Sequence, residues 1–166
     1  MSGVYFCLLQ TFLTCRHSDI DMKALIQRVS SSSVEVEGRI VGQIQKGILV
    51  FIGIEKQDEL KHADKMINKI LSYRVFSDTE GKMNLSVSDV NGGVLLVSQF
   101  TLAAETNNGT RAGFSKAKPP LEAENIYNHM VERAKDLSSN IESGIFAADK
   151  KVALVNDGPV TFLLKC

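Results

Sequence analysis

The sequence predicts a single α/β domain built in layers, with two main helices packed on sheet. Three observations carry this reading. Gly47–Ile54, GILVFIGI, is apolar without interruption, as a strand covered on both faces must be. Residues 60–71 and 123–137 repeat apolar side chains at helical spacing, while most other apolar stretches alternate with polar residues as half-buried strands do. A chain of 166 residues, 44% of them hydrophobic, suffices for one core without division into two.

In order along the chain, residues 1–21 are set aside as a leader or extension outside the domain, which is expected to run over 22–166. Val4–Cys15 is apolar, yet no basic residue precedes it as in a secretory signal, and the run is too short to span a bilayer. An upstream start and a weak leader both fit. From Met22, KALIQRV and SVEVEGRIVGQI alternate on either side of a turn at Glu37-Gly38, the signature of a hairpin. GILVFIGI follows as the buried strand. Asp58 is a plausible N-cap for a helix whose apolar face is Leu60, Ala63, Ile67, Ile70 and Leu71. RVFSD and KMNLSV are short strands, and Asn91-Gly92-Gly93 announces a stronger one, GGVLLVSQFTL. Loop composition fills residues 105–118. Pro119-Pro120 then opens a second helix with Ala123, Ile126, Tyr127, Met130, Ala134 and Leu137 on its periodic face. Strands near 141–146, 152–155 and 160–164 are expected to close the chain.

Composition excludes several classes of function. Nineteen basic residues balance nineteen acidic ones, so no long-range field draws this chain onto a nucleic acid or an anionic membrane, and any nucleic-acid contact must be local. Cys7, Cys15 and Cys166 are odd in number and lack ligand spacing, which argues against a disulfide framework and structural zinc and for a reducing compartment, the cytoplasm. GxSxG, HExxH, P-loop and GxGxxG motifs are absent. His62 and His129 stand on predicted helices without a second ligand one turn away, so neither metal nor cofactor is expected. Glu122 and Glu124, in a first helical turn, complement the helix dipole.

Two stretches remain that carry chemistry. SQFTL ends the second buried strand and sets Ser98, Gln99 and Thr101, all able to hydrogen-bond, where α/β proteins tend to place ligands. Pattern alone leaves open whether these groups bind a ligand or tie down the loop. NDGPVT places Pro159 between two strand-like runs, although proline cannot donate to a ladder, so a geometric reason other than sheet-building is expected for it.

Taken together, MKALIQRVSSSSVEVEG, SQFTLAAET and NDGPVTF resemble the D-aminoacyl-tRNA deacylase family, also called D-tyrosyl-tRNA deacylases, over Met22 to the C-terminus. The resemblance implies hydrolysis of the ester joining a D-amino acid, or glycine, to the 3′ end of tRNA. It implies a three-layer β/β/α domain of mixed sheets and a homodimer with its active site at the subunit interface. It also implies a cis Gly158–Pro159 bond inserted into the partner's pocket, where main-chain carbonyls would collide with an L side chain and tolerate a D side chain or glycine. Ser98, Gln99, Phe100 and Thr101 would then form the catalytic segment, and Arg28 and Asn156 would support the Gly-Pro loop. Thr101 can be read as a nucleophile, yet nothing in the motif would activate it. In the other reading, the tRNA's terminal 2′-hydroxyl helps water attack while main-chain N–H groups near Gln99 and Phe100 hold the oxyanion.

Some positions depart from the family pattern. Arg111-Ala112-Gly113-Phe114 stands where RPSF is usual, Lys150 follows FAAD where Met is usual, and Glu105 replaces Asp. The first two lie in segments expected to border the tRNA end. Lys61, Lys65 and Lys69, stacked at i, i+4 and i+8, offer a local basic stripe for tRNA, with Arg111 as a further contact. A non-catalytic module that holds the aminoacylated end is the alternative function.

Overall fold

The computed structural model describes residues 22–107 and 109–166; the leader expected over 1–21 lies outside them. Strand β1, Lys23–Val36, runs through the predicted hairpin segment without a break. Glu37 and Gly38 turn the chain with φ of 50° and 77° into β2, Arg39–Ile44. Strand β3, Gly47–Gly53, pairs antiparallel with the first half of β1, while β2 pairs with its second half. Helix α1, Leu60–Ser72, is followed by the two-stranded ribbon β4, Phe76–Ser77, and β5, Met83–Leu85. Strand β6, Gly93–Ser98, pairs parallel with β3, and a 3-10 turn follows over Phe100–Ala103. Helix α2 spans Pro120–Leu137, β7 spans Ile141–Ser143 beside β6, and β8, Lys150–Lys165, returns along the whole of β1.

Alternation along these strands sorts the core into two apolar clusters, one on each face. Ala24 and Ile26 of β1, Ile48, Val50 and Ile52 of β3, and Val94 and Leu96 of β6 face the helices with Ala63, Ile67, Ile70, Ile126 and Met130. Val29 and Val34 of β1, Ile44 of β2, Leu49 of β3, and Leu95 and Val97 of β6 form the second cluster. The second half of β1, with β2 and the start of β8, therefore folds back as a layer over the face of the sheet that the helices leave open, β2 lying across β6 and β7. This makes β3 and β6 two-faced, as GILVFIGI required.

Three expectations are corrected. The N-cap of α1 is Glu59, in a reciprocal capping box with His62, and not Asp58. Asp58 is instead buried, its Oδ2 accepting the Glu55 N–H at 2.7 Å and closing the turn before the helix. Leu60 and Leu137, assigned to apolar faces, are exposed by 49% and 43% because each lies at a helix end beyond the packed stripe. Finally, the strands expected at 152–155 and 160–164 belong to the single strand β8, because both pair with β1 on either side of a register shift and no turn separates them. Residues 157–160 are accommodated as an irregularity instead.

Candidate active site

Ser98 is the last residue of β6 and registers with Ile52 on β3, so SQFTL leaves the sheet at the carboxyl ends of two parallel strands. The Gln99 N–H extends the pairing by one bond, 2.7 Å to the Ile52 carbonyl. The chain then coils into the 3-10 turn, which packs directly on the end of β3. A Cβ at Gly53 would lie 2.6 Å from Leu102 Cβ, so only glycine admits this approach. Phe100 opens the turn, with no earlier carbonyl of the turn for its N–H.

Beside this corner runs a groove of about 550 Å³, walled by Ile52, Ile54, Ser98, Gln99 and Phe100, by Phe114 and 117–120, by Ala123, and by Phe146–Lys150. Phe100, exposed by 62%, packs against Phe114 with ring centroids 5.1 Å apart, presenting aromatic surface at the groove. Behind the far wall Tyr127 is buried, and its hydroxyl donates to the Leu96 carbonyl at 2.9 Å and the Gly144 carbonyl at 3.1 Å. Burial raises this phenol above its ordinary range, so it remains a donor at neutral pH. It ties β6 to the segment after β7 and so fixes the wall that carries Phe146, against whose ring it also packs.

The predicted residues fall into three places. Ser98, Gln99 and Phe100 line the groove, whereas Thr101 stands outside its lining and is exposed. Thr101 Oγ1 accepts a hydrogen bond from Gln99 Nε2 at 2.5 Å, and among the described residues no histidine, lysine or carboxylate bonds it. A lone pair engaged by an amide donor makes the oxygen a poorer nucleophile. The Gln99 N–H, expected to help hold an oxyanion, is committed to Ile52, so that expectation narrows to Phe100.

Gly158 and Pro159 are exposed and lie in the irregularity of β8, joined by a cis peptide bond. Between the pairs Gln27↔Thr161 and Val29↔Asn156, β1 contributes only Arg28 while β8 contributes 157–160, so these four residues are pushed out of the ladder. Asn156 Nδ2 bridges the feet of this loop, donating to the Arg28 carbonyl at 2.9 Å and the Val160 carbonyl at 3.2 Å. Arg28 Nε meets Asp157 twice, its carbonyl and its carboxylate each at 3.0 Å, and another guanidinium nitrogen donates to the Val75 carbonyl at 2.6 Å. The guanidinium thus ties the loop to the chain beyond α1. Arg28 registers with Ile48 on β3, four residues from Ile52, and Gly158 and Pro159 do not line the groove. Within one chain the two motifs are not brought together.

The basic stripe is only partly available. Lys61 pairs with Glu59 at 2.8 Å, and Lys69 Nζ donates to the Lys165 carbonyl at 2.7 Å, while Lys65 is exposed. Arg111 is exposed on the loop before Phe114 and outside the groove. Sequence reasoning gave no site role to Phe114, Phe146 and Lys118, and placed Tyr127 only on the apolar face of its helix. Phe114 lies in loop-like sequence and Phe146 ends the strand expected over 141–146, signals that gain meaning only when the two converge.

Comparison with known proteins agrees with the motifs. The family model for D-Tyr-tRNA(Tyr) deacylase matches residues 25–165. Proteins named D-aminoacyl-tRNA deacylase are similar, among them one from Saccharophagus degradans, 58% identical over 143 residues that make 86% of this chain and 99% of that one. Another, from Acinetobacter baumannii, is 54% identical over 144 residues, 87% of this chain and 98% of that one. A solved structure titled c-Myc DNA Unwinding Element Binding Protein superposes with a TM-score of 0.82 at 40% identity, covering 86% of this chain and 97% of that one. One described as a probable eukaryotic D-amino acid tRNA deacylase has a TM-score of 0.79 at 12% identity over 88% of this chain and 100% of that one, a likeness of fold. The match over nearly the whole described chain, on the motifs that build the groove and the loop, places this chain in the D-Tyr-tRNA(Tyr) deacylase family.

Proposed function

We propose that the chain, as a cytoplasmic homodimer of the domain 22–166, hydrolyses the ester of D-aminoacyl-tRNA, and of glycyl-tRNA mischarged on tRNA for alanine. The groove beside Ser98–Phe100 takes the aminoacylated 3′ end. The separation of this groove from Gly158–Pro159 within one chain is the observation that carries the reading: if both act on one substrate, the second must come from a partner subunit. The edge of β8, which among the described residues pairs with β1 alone and exposes Val155 by 57%, suits such association. The main chain at Gly158–Pro159 would then stand beside the Cα of the aminoacyl group and exclude an L side chain by contact, with Arg28 and Asn156 holding it in place.

Water performs the attack, assisted by the terminal 2′-hydroxyl of the RNA, and Phe100 N–H holds the developing oxyanion. Ser98, Gln99 and Thr101 position the ester. The environment of Thr101 supports this, because its hydroxyl accepts from Gln99 and, among the described residues, no base bonds it. Lys61, Lys65, Lys69 and Arg111 contribute a small phosphate footprint.

Release of D-tyrosine and L-tyrosine from tRNA tests the function, and a substrate ending in 2′-deoxyadenosine tests the chemistry. The D ester is cleaved and the L ester spared; the deoxy substrate binds similarly yet reacts roughly 10²–10⁴-fold more slowly, the usual reach of general acid–base help. Thr101→Ala costs less than that and leaves enantioselectivity intact. Binding without release of D-tyrosine would make the chain a holding module. A normal rate on the deoxy substrate with a dead Thr101→Ala would make threonine the nucleophile.

A further inference from the structure

Lys150 stands at the junction of two cavities. It forms part of the 550 Å³ groove and also of an adjoining pocket of about 350 Å³ beneath the Glu35–Gly38 turn, the two sharing Ala148, Asp149 and Lys150. A ligand reaching from one into the other passes beside Ala148, Asp149 and Lys150. The Lys150 stem lies against buried Gly144, where an added Cβ would meet Lys150 Cδ at 3.4 Å. Its Nζ donates to the Ala148 carbonyl at 2.9 Å and the Ile145 carbonyl at 3.2 Å, which uses two of three N–H donors and fixes the head group over the loop.

The charge has no direct ion-pair partner among the described residues, Asp149 acting on it only at longer range. Among the described residues no carboxylate lies within ion-pair distance of Lys150, whereas Lys118, the other lysine of the groove, pairs with Glu122 at 3.5 Å and Lys151 pairs with Glu35 at 3.4 Å. Burial lowers the Lys150 ammonium below its ordinary range, against the opposing field of neighbouring Asp149. A partly desolvated cation whose contacts within the chain are neutral carbonyls has an N–H left to offer an anion. Of the carboxylates around the second pocket, Glu35 is occupied by Lys151, while Glu37 and Asp149 are exposed to solvent. They disfavour a phosphate deep in that pocket and leave the ridge as its place.

We propose that Lys150 is an anion contact of this site, its remaining N–H meeting the phosphodiester that joins the terminal nucleoside, seated in the groove, to the rest of the RNA. This rests on the reading of the groove as the seat of a tRNA 3′ end. Lys150 acts by positioning the strand, because the loop it braces carries Phe146 and Ala147 of the groove wall.

The test measures binding of deacylated tRNA against salt for wild type, Lys150→Met and Lys150→Arg, with free adenosine as a ligand that lacks the phosphate. One phosphate contact contributes about 0.7 to the slope of log affinity on log salt for a single strand. Lys150→Met is expected to lose about that much slope and roughly three- to tenfold in tRNA affinity at low salt, Lys150→Arg to restore both, and adenosine to bind all three alike. A tRNA whose terminal phosphodiester is replaced by a neutral methylphosphonate, tested on wild-type protein, is expected to show the same loss and needs no folded variant. Unchanged slopes, or a methylphosphonate that binds like the phosphate, overturn the proposal and leave Lys150 a brace of its loop. D-tyrosyl release by the wild-type protein separately tests the function on which it rests.

Discussion

Replacing Arg28 by alanine removes the side chain that ties the Gly158–Pro159 loop to the segment beyond α1, leaving Asn156 to bridge the feet of the loop. Its contact with the Val75 carbonyl, 2.6 Å and partly buried, is a hydrogen bond from a charged donor and contributes about 1.5–3 kcal/mol. The two contacts with Asp157 are worth less, because that carboxylate is 52% exposed and water screens it, so about 0–1 kcal/mol together is appropriate. The loss is therefore about 1.5–4 kcal/mol. At roughly 2–4 °C per kcal/mol for a domain of this size, thermal unfolding should fall by about 3–16 °C. Deacylation should fall further than folding predicts, because the released loop is the part assigned to the substrate of the partner subunit. Calorimetry or circular dichroism reads the first effect, and D-tyrosyl-tRNA turnover under conditions where the variant is fully folded reads the second. Arg28→Lys should recover only part of either, since one ammonium cannot reproduce the forked contacts to Val75 and Asp157. A variant that melts within about 2 °C of wild type and turns over normally would show that the loop is held by Asn156 and the β1–β8 ladder, and the reasoning about Arg28 would be refuted.

Three further outcomes are expected. Gly47→Ala should lower stability by more than about 3 kcal/mol, or prevent folding, because the new Cβ would strike the Gly93 carbonyl oxygen across the β3–β6 pair; a melting point near wild type would contradict this packing. Removal of residues 1–21 should leave thermal unfolding, oligomeric state by light scattering, and deacylation nearly unchanged, while loss of any of them would show that this segment contributes to the domain. Charge reversal at Lys61, Lys65 and Lys69 together should weaken tRNA binding and flatten its salt dependence, with Lys65→Glu giving the largest single share because Lys61 and Lys69 already have partners. Equal slopes in the triple variant would return the helix face to solvent.

The sequence by itself determined whatever rests on local periodicity and on neighbours in the chain. GILVFIGI had to be buried on both faces, Glu37-Gly38 had to turn, Pro119-Pro120 had to begin a helix, and the run into SQFTL had to be a strand, although its end at Ser98, short of the expected Leu102, came from the structure. These follow from side-chain direction and φ preference, which act within a few residues. The motifs SQFTL and NDGPVT were legible too, as polar or ladder-breaking residues where sheet-building offers no reason for them. Only the tertiary structure decided what these segments meet. Asp58 is the cap that local preference favours, yet a buried turn at Glu55 takes its carboxylate and the cap falls to Glu59 through a reciprocal bond to His62. The last two strands became one because β1 offers an unbroken partner along its length, so the ladder overrode the local signal of Gly158–Pro159 and expelled 157–160 as a loop. The groove draws Phe100, Phe114, Phe146 and Lys150 from segments up to about fifty residues apart, and no period in the chain encodes that convergence. It arises because β3 and β6 end side by side, and strand pairing is a long-range choice made by the burial of both faces rather than by any residue's own preference.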